Sequence, residues 1–233
     1  MKVIKILFIM LLISGCSLID KRNISIDDYN YYLEINKQLN FDNVKSIERN
    51  FNIEINDNKY NVKARLDVLE RGYNDFVYHL YVEDDEVYDS YYVDNINYIE
   101  SNNEKYYKKV LLNAYTKMVG KYLHTDFVNI SYTGIKEMII RDDSIELILN
   151  DSGILEYFND VYYKNDMYIE EPDYNSGSVN ILYILENSVL KQVIVNGEIK
   201  YKNNSALVSE EIILNEAISF DLNIDFESYQ SVY

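Results

Sequence analysis

Two histidines, His79 and His124, and one cysteine, Cys16, are the side chains of this sequence that titrate or react most readily near neutral pH. Neither histidine has a partner at metal-ligand spacing, and a single cysteine permits neither a Cys-based zinc site nor an intramolecular disulfide. No G-x-S-x-G pattern marks a nucleophilic serine. With seven glycines in the whole chain, no phosphate-binding glycine loop is present. Carboxylates are abundant, 39 against 22 Lys and Arg, so adjacent acids arise by chance. Asp84-Asp85-Glu86, Asp142-Asp143 and Glu170-Glu171 all fall where turns are expected, and none alternates around a central glycine as a calcium loop does. Glycoside hydrolysis needs two opposed carboxylates, and an extracellular hydrolase ranks last among the readings considered. No catalytic set, metal or cofactor is expected. A formal net charge of −17 argues against a nucleic-acid partner, because affinity for phosphates depends on Lys and Arg. The more unusual feature is 25 tyrosines with no tryptophan. Tyr88, Tyr91, Tyr92 and Tyr98 place aromatic rings on both faces of one strand region, so some fill the core and others are exposed or line a groove.

The elements that would carry these residues follow from periodicity. Asp27 is the expected cap of a helix from Asp28 to about Leu39. From Glu48 the period becomes two. Phe51, Ile53 and Ile55 alternate with polar residues, a turn follows at Asp57-Asn58-Lys59, and Tyr60 to Val68 alternates in return. Further strands are expected at 76–82, 87–93 and 96–100, with a short one from Tyr106. On the third strand His79 would point outward, as a surface imidazole. Val110, Ala114, Met118 and Tyr122, with Leu111, Tyr115 and Val119 alongside, predict an amphipathic helix over 108–123. His124 then follows its C-terminus, where a cation suits the helix dipole. A hairpin over 136–149 leads to a helix over 153–163, capped by Asp151 or Ser152 and burying Ile154, Leu155, Phe158 and Tyr162. Residues 165–177 read as a loop. Strands over 178–185, 189–195, 198–202 and 206–214 follow, with Asn196-Gly197 as the strongest hairpin turn of the chain. A last edge segment is expected around 222–226.

The start of the chain carries a different kind of chemistry. Lys2 and Lys5 precede an apolar run, Ile6 to Ile13, too short to span a bilayer. Ser14, Gly15 and Cys16 follow. Charge, apolar run and small residues in this order read as a signal peptide. Ile13-Ser14-Gly15-Cys16 resembles a bacterial lipobox. The resemblance implies cleavage between Gly15 and Cys16 and diacylation of the Cys16 thiol, which ends any redox role for it. Two acyl chains suffice for stable anchoring. Residues 16–26 are then a lipidated cysteine and short tether, with no long Gly/Ser or Pro-rich spacer.

The order of lipidated cysteine, helix, long meander, inserted helices and further meander is similar to that of LolA/LppX-type lipoprotein carriers and lipid-handling lipoproteins. The texture agrees: Glu86-Val87-Tyr88, Tyr91-Tyr92-Val93, a turn at Asp94-Asn95, Tyr98, then Tyr106-Tyr107-Lys108. The resemblance covers residues 27–226 and rests on topology, with no diagnostic motif. It implies an α+β fold: a strongly curved antiparallel β-sheet, a half-barrel, with helices packed on its concave face, forming one domain over 27–233. Phe51, Ile53, Ile55, Val62, Leu66, Val68, Phe76, Tyr78 and Leu80 would face a lipid or other apolar ligand between sheet and helices. If the helices at 108–123 and 153–163 fill that space, the same residues are a closed core and a carrier lined by them is ruled out. The expectation is a non-enzymatic, extracytoplasmic lipoprotein anchored to a bacterial membrane through Cys16. The alternative is a surface interaction protein or adhesin using exposed tyrosine and acid, which a contiguous exposed aromatic patch would favour.

Overall fold

A computed structural model describes residues 24–71, 76–84, 87–125, 127–163, 170, 173–216 and 225–232. The signal segment, the Gly15–Cys16 junction and most of the 165–172 stretch lie outside the described residues. Among the described residues, twelve strands form one open sheet in the order β12-β6-β5-β4-β3-β2-β1-β11-β10-β9-β8-β7. They are β1 (Ser46–Ile55), β2 (Asn58–Arg71), β3 (Phe76–Glu83), β4 (Val87–Val93), β5 (Ile96–Ser101), β6 (Glu104–Lys109), β7 (Ile135–Ile140), β8 (Ser144–Leu149), β9 (Tyr174–Glu186), β10 (Val189–Tyr201), β11 (Asn204–Asn215) and β12 (Gln230–Ser231). Every neighbouring pair is antiparallel except β12, which runs parallel to β6. Helices α1 (Ile26–Asn36), α2 (Leu112–Leu123) and α3 (Asp151–Tyr163) complete an α+β architecture.

Turn chemistry explains the meander. Asn56-Asp57, Asp94-Asn95, Asn102-Asn103 and Asn187-Ser188 all take positive φ, and no described glycine does. Asn and Asp tolerate this left-handed conformation better than other side chains, and paired left-handed residues match the twist of a two-residue hairpin. The first turn is therefore Asn56-Asp57, one residue before the expected one.

Asn196-Gly197, the strongest turn signal in the sequence, is not a turn. Both residues sit inside β10, Asn196 opposite Ser209 and Gly197 opposite Val208. Gly197 is required by packing: a Cβ there would lie 2.9 Å from Val179 Cγ2 and 3.1 Å from Val208 Cγ1. The two expected strands merge into one of 13 residues. Strand β9 likewise starts at Tyr174, inside the expected loop. The C-terminal segment forms a 3-10 turn, Phe226–Ser228, and β12; the expected edge segment falls mostly outside the described residues.

Helix ends also shift. Ser25, not Asp27, caps α1: its Oγ accepts from Asp28 N at 3.0 Å, and the Asp28 carboxylate accepts from Ser25 N at 3.3 Å. The 108–123 helix begins only at Leu112, because Lys108 and Lys109 still pair with Asn97 and Ile96. Asn150 caps α3, accepting from Ser152 N at 3.1 Å and Gly153 N at 3.3 Å. Among the described side chains of α3, Ile154, Tyr157, Phe158 and Val161 are buried and Leu155 is partly covered, while the expected Tyr162 side chain lies outside those described.

One face of the sheet meets the helices. Tyr115, Val119 and Leu123 of α2 are fully buried, and the Tyr115 ring stacks on Tyr92 at 4.3 Å and on Tyr78 at 5.8 Å. From α1, Tyr32 packs edge-on against Tyr183 of β9 at 5.6 Å. Helix α3 crosses β9 and β8, and its Gly153 lies directly against the Gly134 backbone. A Cβ on Gly153 would overlap the Gly134 carbonyl oxygen. Ala usually stabilises a helix relative to Gly; Gly153→Ala should instead destabilise by about 1–3 kcal/mol through overpacking, read by urea denaturation.

Candidate functional site

The interior between sheet and helices holds charge as well as apolar surface. Arg49 interrupts the inward apolar series of β1 between Ile47 and Phe51, and Glu210 does the same in β11 between Val208 and Ile212. Both are buried, at 5% and 1% exposure. Arg49 Nε donates to Glu210 Oε1 at 2.6 Å, its Nη1 donates to the Tyr122 carbonyl at 3.0 Å, and its guanidinium stands 4.2 Å over the Phe51 ring. His124, the left-handed C-cap of α2, enters the same cluster. Its Nδ1 lies 2.7 Å from Glu210 Oε1 and its Nε2 lies 2.6 Å from Asp160 Oδ2. Each ring nitrogen thus faces a carboxylate oxygen at hydrogen-bond distance. Tyr157 of α3 donates to Glu210 Oε2 at 2.8 Å.

Burial alone would raise the Glu210 pKa. The Arg49 and His124 cations, with the His124 and Tyr157 hydrogen bonds, reverse this and hold it far below the usual carboxylate range. Burial and the adjacent Glu210 charge hold the Tyr157 phenol proton well above its ordinary value.

A second ionic bridge lies on the opposite face. His79 Nε2 meets Asp89 Oδ1 at 2.7 Å, and its Nδ1 lies 3.9 Å from Asp67 Oδ2. Ser46 Oγ donates to Asp67 Oδ1 at 2.7 Å, and Arg65 Nε donates to Asp67 Oδ2 at 2.9 Å. The imidazole stacks on Tyr91 at 4.5 Å. His79 does point outward as its strand position requires, but it is held rather than free. Burial lowers the His79 pKa, and the Asp67 and Asp89 carboxylates override this and push it up to about 9. Burial likewise raises Asp67, and His79, Arg65 and Ser46 pull it down to about 2.

A third cluster sits beneath α2. Ser90 of β4, Asn97 of β5 and Tyr115 are each fully buried. Ser90 lies close enough to the Tyr88 and Tyr115 hydroxyls to offset part of what burial does to each. Asn97 Oδ1 has no partner, and the approaches of Ser90 Oγ and Tyr115 OH to each other fall short of hydrogen-bond geometry. Asn97 Nδ2 donates to Tyr88 OH at 3.1 Å, and Tyr88 OH is directed at Met118 Sδ at 3.7 Å.

Of the positions expected to face an apolar ligand, Phe51, Ile53, Leu66, Tyr78 and Leu80 belong to the buried core. Ile55, Val62 and Val68 pack against it partly covered, and the side chain of Phe76 lies outside those described. Around Tyr78 the helices close the space. Cys16 and Gly15 are outside the described residues. Among the described residues, no group of three His, Cys, Asp or Glu is placed to hold a metal ion, and no helix is long and apolar enough to cross a membrane. The Arg49–Glu210–His124 cluster was not anticipated from spacing. Its one sequence signal is the break in alternation at Arg49 and Glu210.

No family model matches the chain. A DNA ligase of Sulfurimonas denitrificans is 30% identical over 132 residues, covering 54% of this chain and 18% of the ligase, so the match spans about a fifth of that curated relative. Among solved structures, a DUF1329 family protein from Desulfovibrio piger aligns over 87% of this chain and 97% of its own, at 9% identity and a TM-score of 0.29. The dehydratase domain from the CurF module of curacin polyketide synthase aligns over 83% of this chain and 84% of its own, at 11% identity and a TM-score of 0.16.

Two measurements test this electrostatic account. Glu210→Gln leaves the buried Arg49 guanidinium without its anion and should cost about 3–5 kcal/mol in urea unfolding; a loss below about 1 kcal/mol would refute the network's cohesion. For His79 and Asp67 the sign is set by their shifts. A raised His79 pKa stabilises fully below about 6.5 and loses that contribution as pH rises through about 9. A depressed Asp67 pKa stabilises above about 3.8 and loses its contribution as pH falls through about 2. The stability gap between the native chain and Asp67→Asn should therefore be widest between these ranges and narrow at both ends; a pH-independent gap refutes the assignment.

Proposed function

We propose that this chain is a membrane-anchored, extracytoplasmic lipoprotein, non-enzymatic, that takes an amphiphilic ligand beneath α2 in a curved, LolA/LppX-like half-barrel. The anchoring part rests on the order Lys2, Lys5, Ile6 to Ile13, Ser14, Gly15, Cys16. The non-enzymatic part is supported by both histidines, each bracketed by two carboxylates. A ring whose two nitrogens are both engaged by carboxylates has neither free to offer a substrate.

The single observation that carries the ligand is the set of three unpartnered buried polar atoms, Ser90 Oγ, Asn97 Oδ1 and Tyr115 OH. A buried polar atom without a partner costs about 1–3 kcal/mol, and three in one place favour an occupant with a hydroxyl or carboxyl group. Helix α2 is the cover that can yield. Its N-cap, Leu111, makes no side-chain capping bond, and its first turn carries no acid. Leu111 is 69% exposed, whereas the buried residues of α2 begin at Tyr115. Lifting this end would bring a ligand's polar group to Ser90 and Asn97. Its apolar part would lie along Tyr88, Met118 and Tyr122, which are partly covered now. The packed core around Phe51, Leu66 and Leu80 is then the scaffold of the site and not its lining. The adhesin reading has less support, since among the described residues the exposed tyrosines, Tyr60 and Tyr132, lie on β2 and just ahead of β7, six strands apart in the sheet.

The test is native mass spectrometry of the mature domain after incubation with a total phospholipid extract. We expect an amphiphile adduct that Ser90→Val weakens. A protein that stays at its unliganded mass throughout overturns the reading. In the ligand-free protein Tyr115→Phe removes a hydroxyl that has no partner, so its stability should change by less than about 0.5 kcal/mol or rise.

A further inference from the structure

The point where the folded domain continues toward Cys16 is built. Tyr132 OH donates to the Ile24 carbonyl at 2.8 Å, and the Tyr132 ring meets Tyr29 edge-on at 5.4 Å. Tyr29 OH donates to the Ile130 carbonyl at 3.1 Å. The first described residues are thus clamped to the loop ahead of β7, and the tether must leave from this spot. Beside it Ile26 is 63% exposed and Tyr132 is 39% exposed. Eight residue steps separate Ile24 from Cys16, at most about 29 Å of extended chain. The length of chain and the place where it ends select one occupant for this patch, the bilayer that would hold Cys16.

We propose that Ile26 and Tyr132 rest on the membrane interface, so that the domain stands in one orientation with α1 pointing away from the bilayer. This rests on the acylation of Cys16 proposed above. Tyrosine suits the headgroup layer because its ring is apolar and its hydroxyl stays wet. The charges next to the patch are Asp27 and Asp28 in the first turn of α1, and the tether sequence adds Asp20, Lys21 and Arg22. They are three acids and two bases, with no basic excess to grip anionic lipid, so apolar and aromatic contact dominates and zwitterionic lipid suffices. At the other end of α1, Gln38 meets the Ser188 carbonyl at 3.4 Å and Leu190 N at 2.9 Å. The β9–β10 hairpin, with exposed Val189, therefore lies about 18 Å further from the membrane along the helix.

The chain contains no tryptophan, so one introduced tryptophan reports alone. Tyr132→Trp, Ile26→Trp and Val189→Trp would each be made in the full acylated chain and reconstituted in phosphatidylcholine vesicles with brominated acyl chains. Ile26→Trp disturbs no buried side chain and guards against a folding defect from losing the Tyr132 hydroxyl. We expect emission from the Tyr132→Trp and Ile26→Trp variants to be quenched about threefold more than from Val189→Trp. Equal quenching at all three positions, with acyl mass present on Cys16, overturns this orientation and leaves the anchoring reading intact. A membrane-expressed chain with no acyl mass on Cys16 overturns the anchoring reading and the orientation with it.

Discussion

Glu210 has no contact with water, and each layer of the fold reaches it. It projects from β11 toward Arg49 on the neighbouring β1, accepts from the residue that ends α2, and accepts from the middle of α3. A buried carboxylate is tolerable only if its oxygens are filled by donors, and here three donors arrive from three elements. Such a cluster contributes little net stability relative to well-packed apolar residues, since desolvating the charges offsets their attraction. What it supplies is position. Loss of any one donor leaves charge uncompensated, so α2 must end where His124 can turn inward and α3 must cross where Tyr157 can reach. The left-handed backbone of His124, at φ 54°, follows from that requirement.

The same logic distributes charge across the molecule. An excess of acid is kept at turns and on exposed strand positions, where water screens it. Arg49 and His124 go inward, and acids follow them: Glu210 from the sheet and Asp160 from α3. On the opposite face Arg65 and His79 gather Asp67 and Asp89 in the same manner. In both places a histidine stands between two carboxylates.

Strand alternation made the meander legible. β4, β7 and β8 lie within a residue of where the period of two places them. The failures have physical causes. Asn196-Gly197 carries the local signal of a hairpin, but a residue with a Cβ would collide with Val179 and Val208, so the glycine is there for close packing in a long strand. The helix over 108–123 starts late because β-pairing of Lys108 and Lys109 with β5 outweighs their helical periodicity. The caps were misplaced by one or two residues because Ser25 and Asp27, or Asn150 and Asp151, are equally good caps in isolation, and only the backbone geometry chooses. The charge network was invisible to spacing because its members lie at 49, 124, 157, 160 and 210, and nothing local joins them.

The tyrosine excess is the compositional trait that the interior explains. Tyr32, Tyr92, Tyr157 and Tyr183 are fully buried, and a buried phenol must find a partner. Tyr32 OH accepts from Ile130 N at 3.1 Å, Tyr183 OH donates to Asn36 Oδ1 at 3.1 Å, and Tyr92 OH donates to the Val110 carbonyl at 3.1 Å. These bonds tie the sheet to α1 and to the chain entering α2, and tie α1 to the loop after α2. A phenylalanine core would pack as well and fix none of these crossings. Where every other member of such a set is satisfied, an exception is informative. Tyr115 is stacked between Tyr78 and Tyr92 with its hydroxyl aimed at Ser90 and completing no bond. Phenylalanine would serve the stacking equally and avoid the cost of burying the hydroxyl, so packing alone does not account for the oxygen at this position.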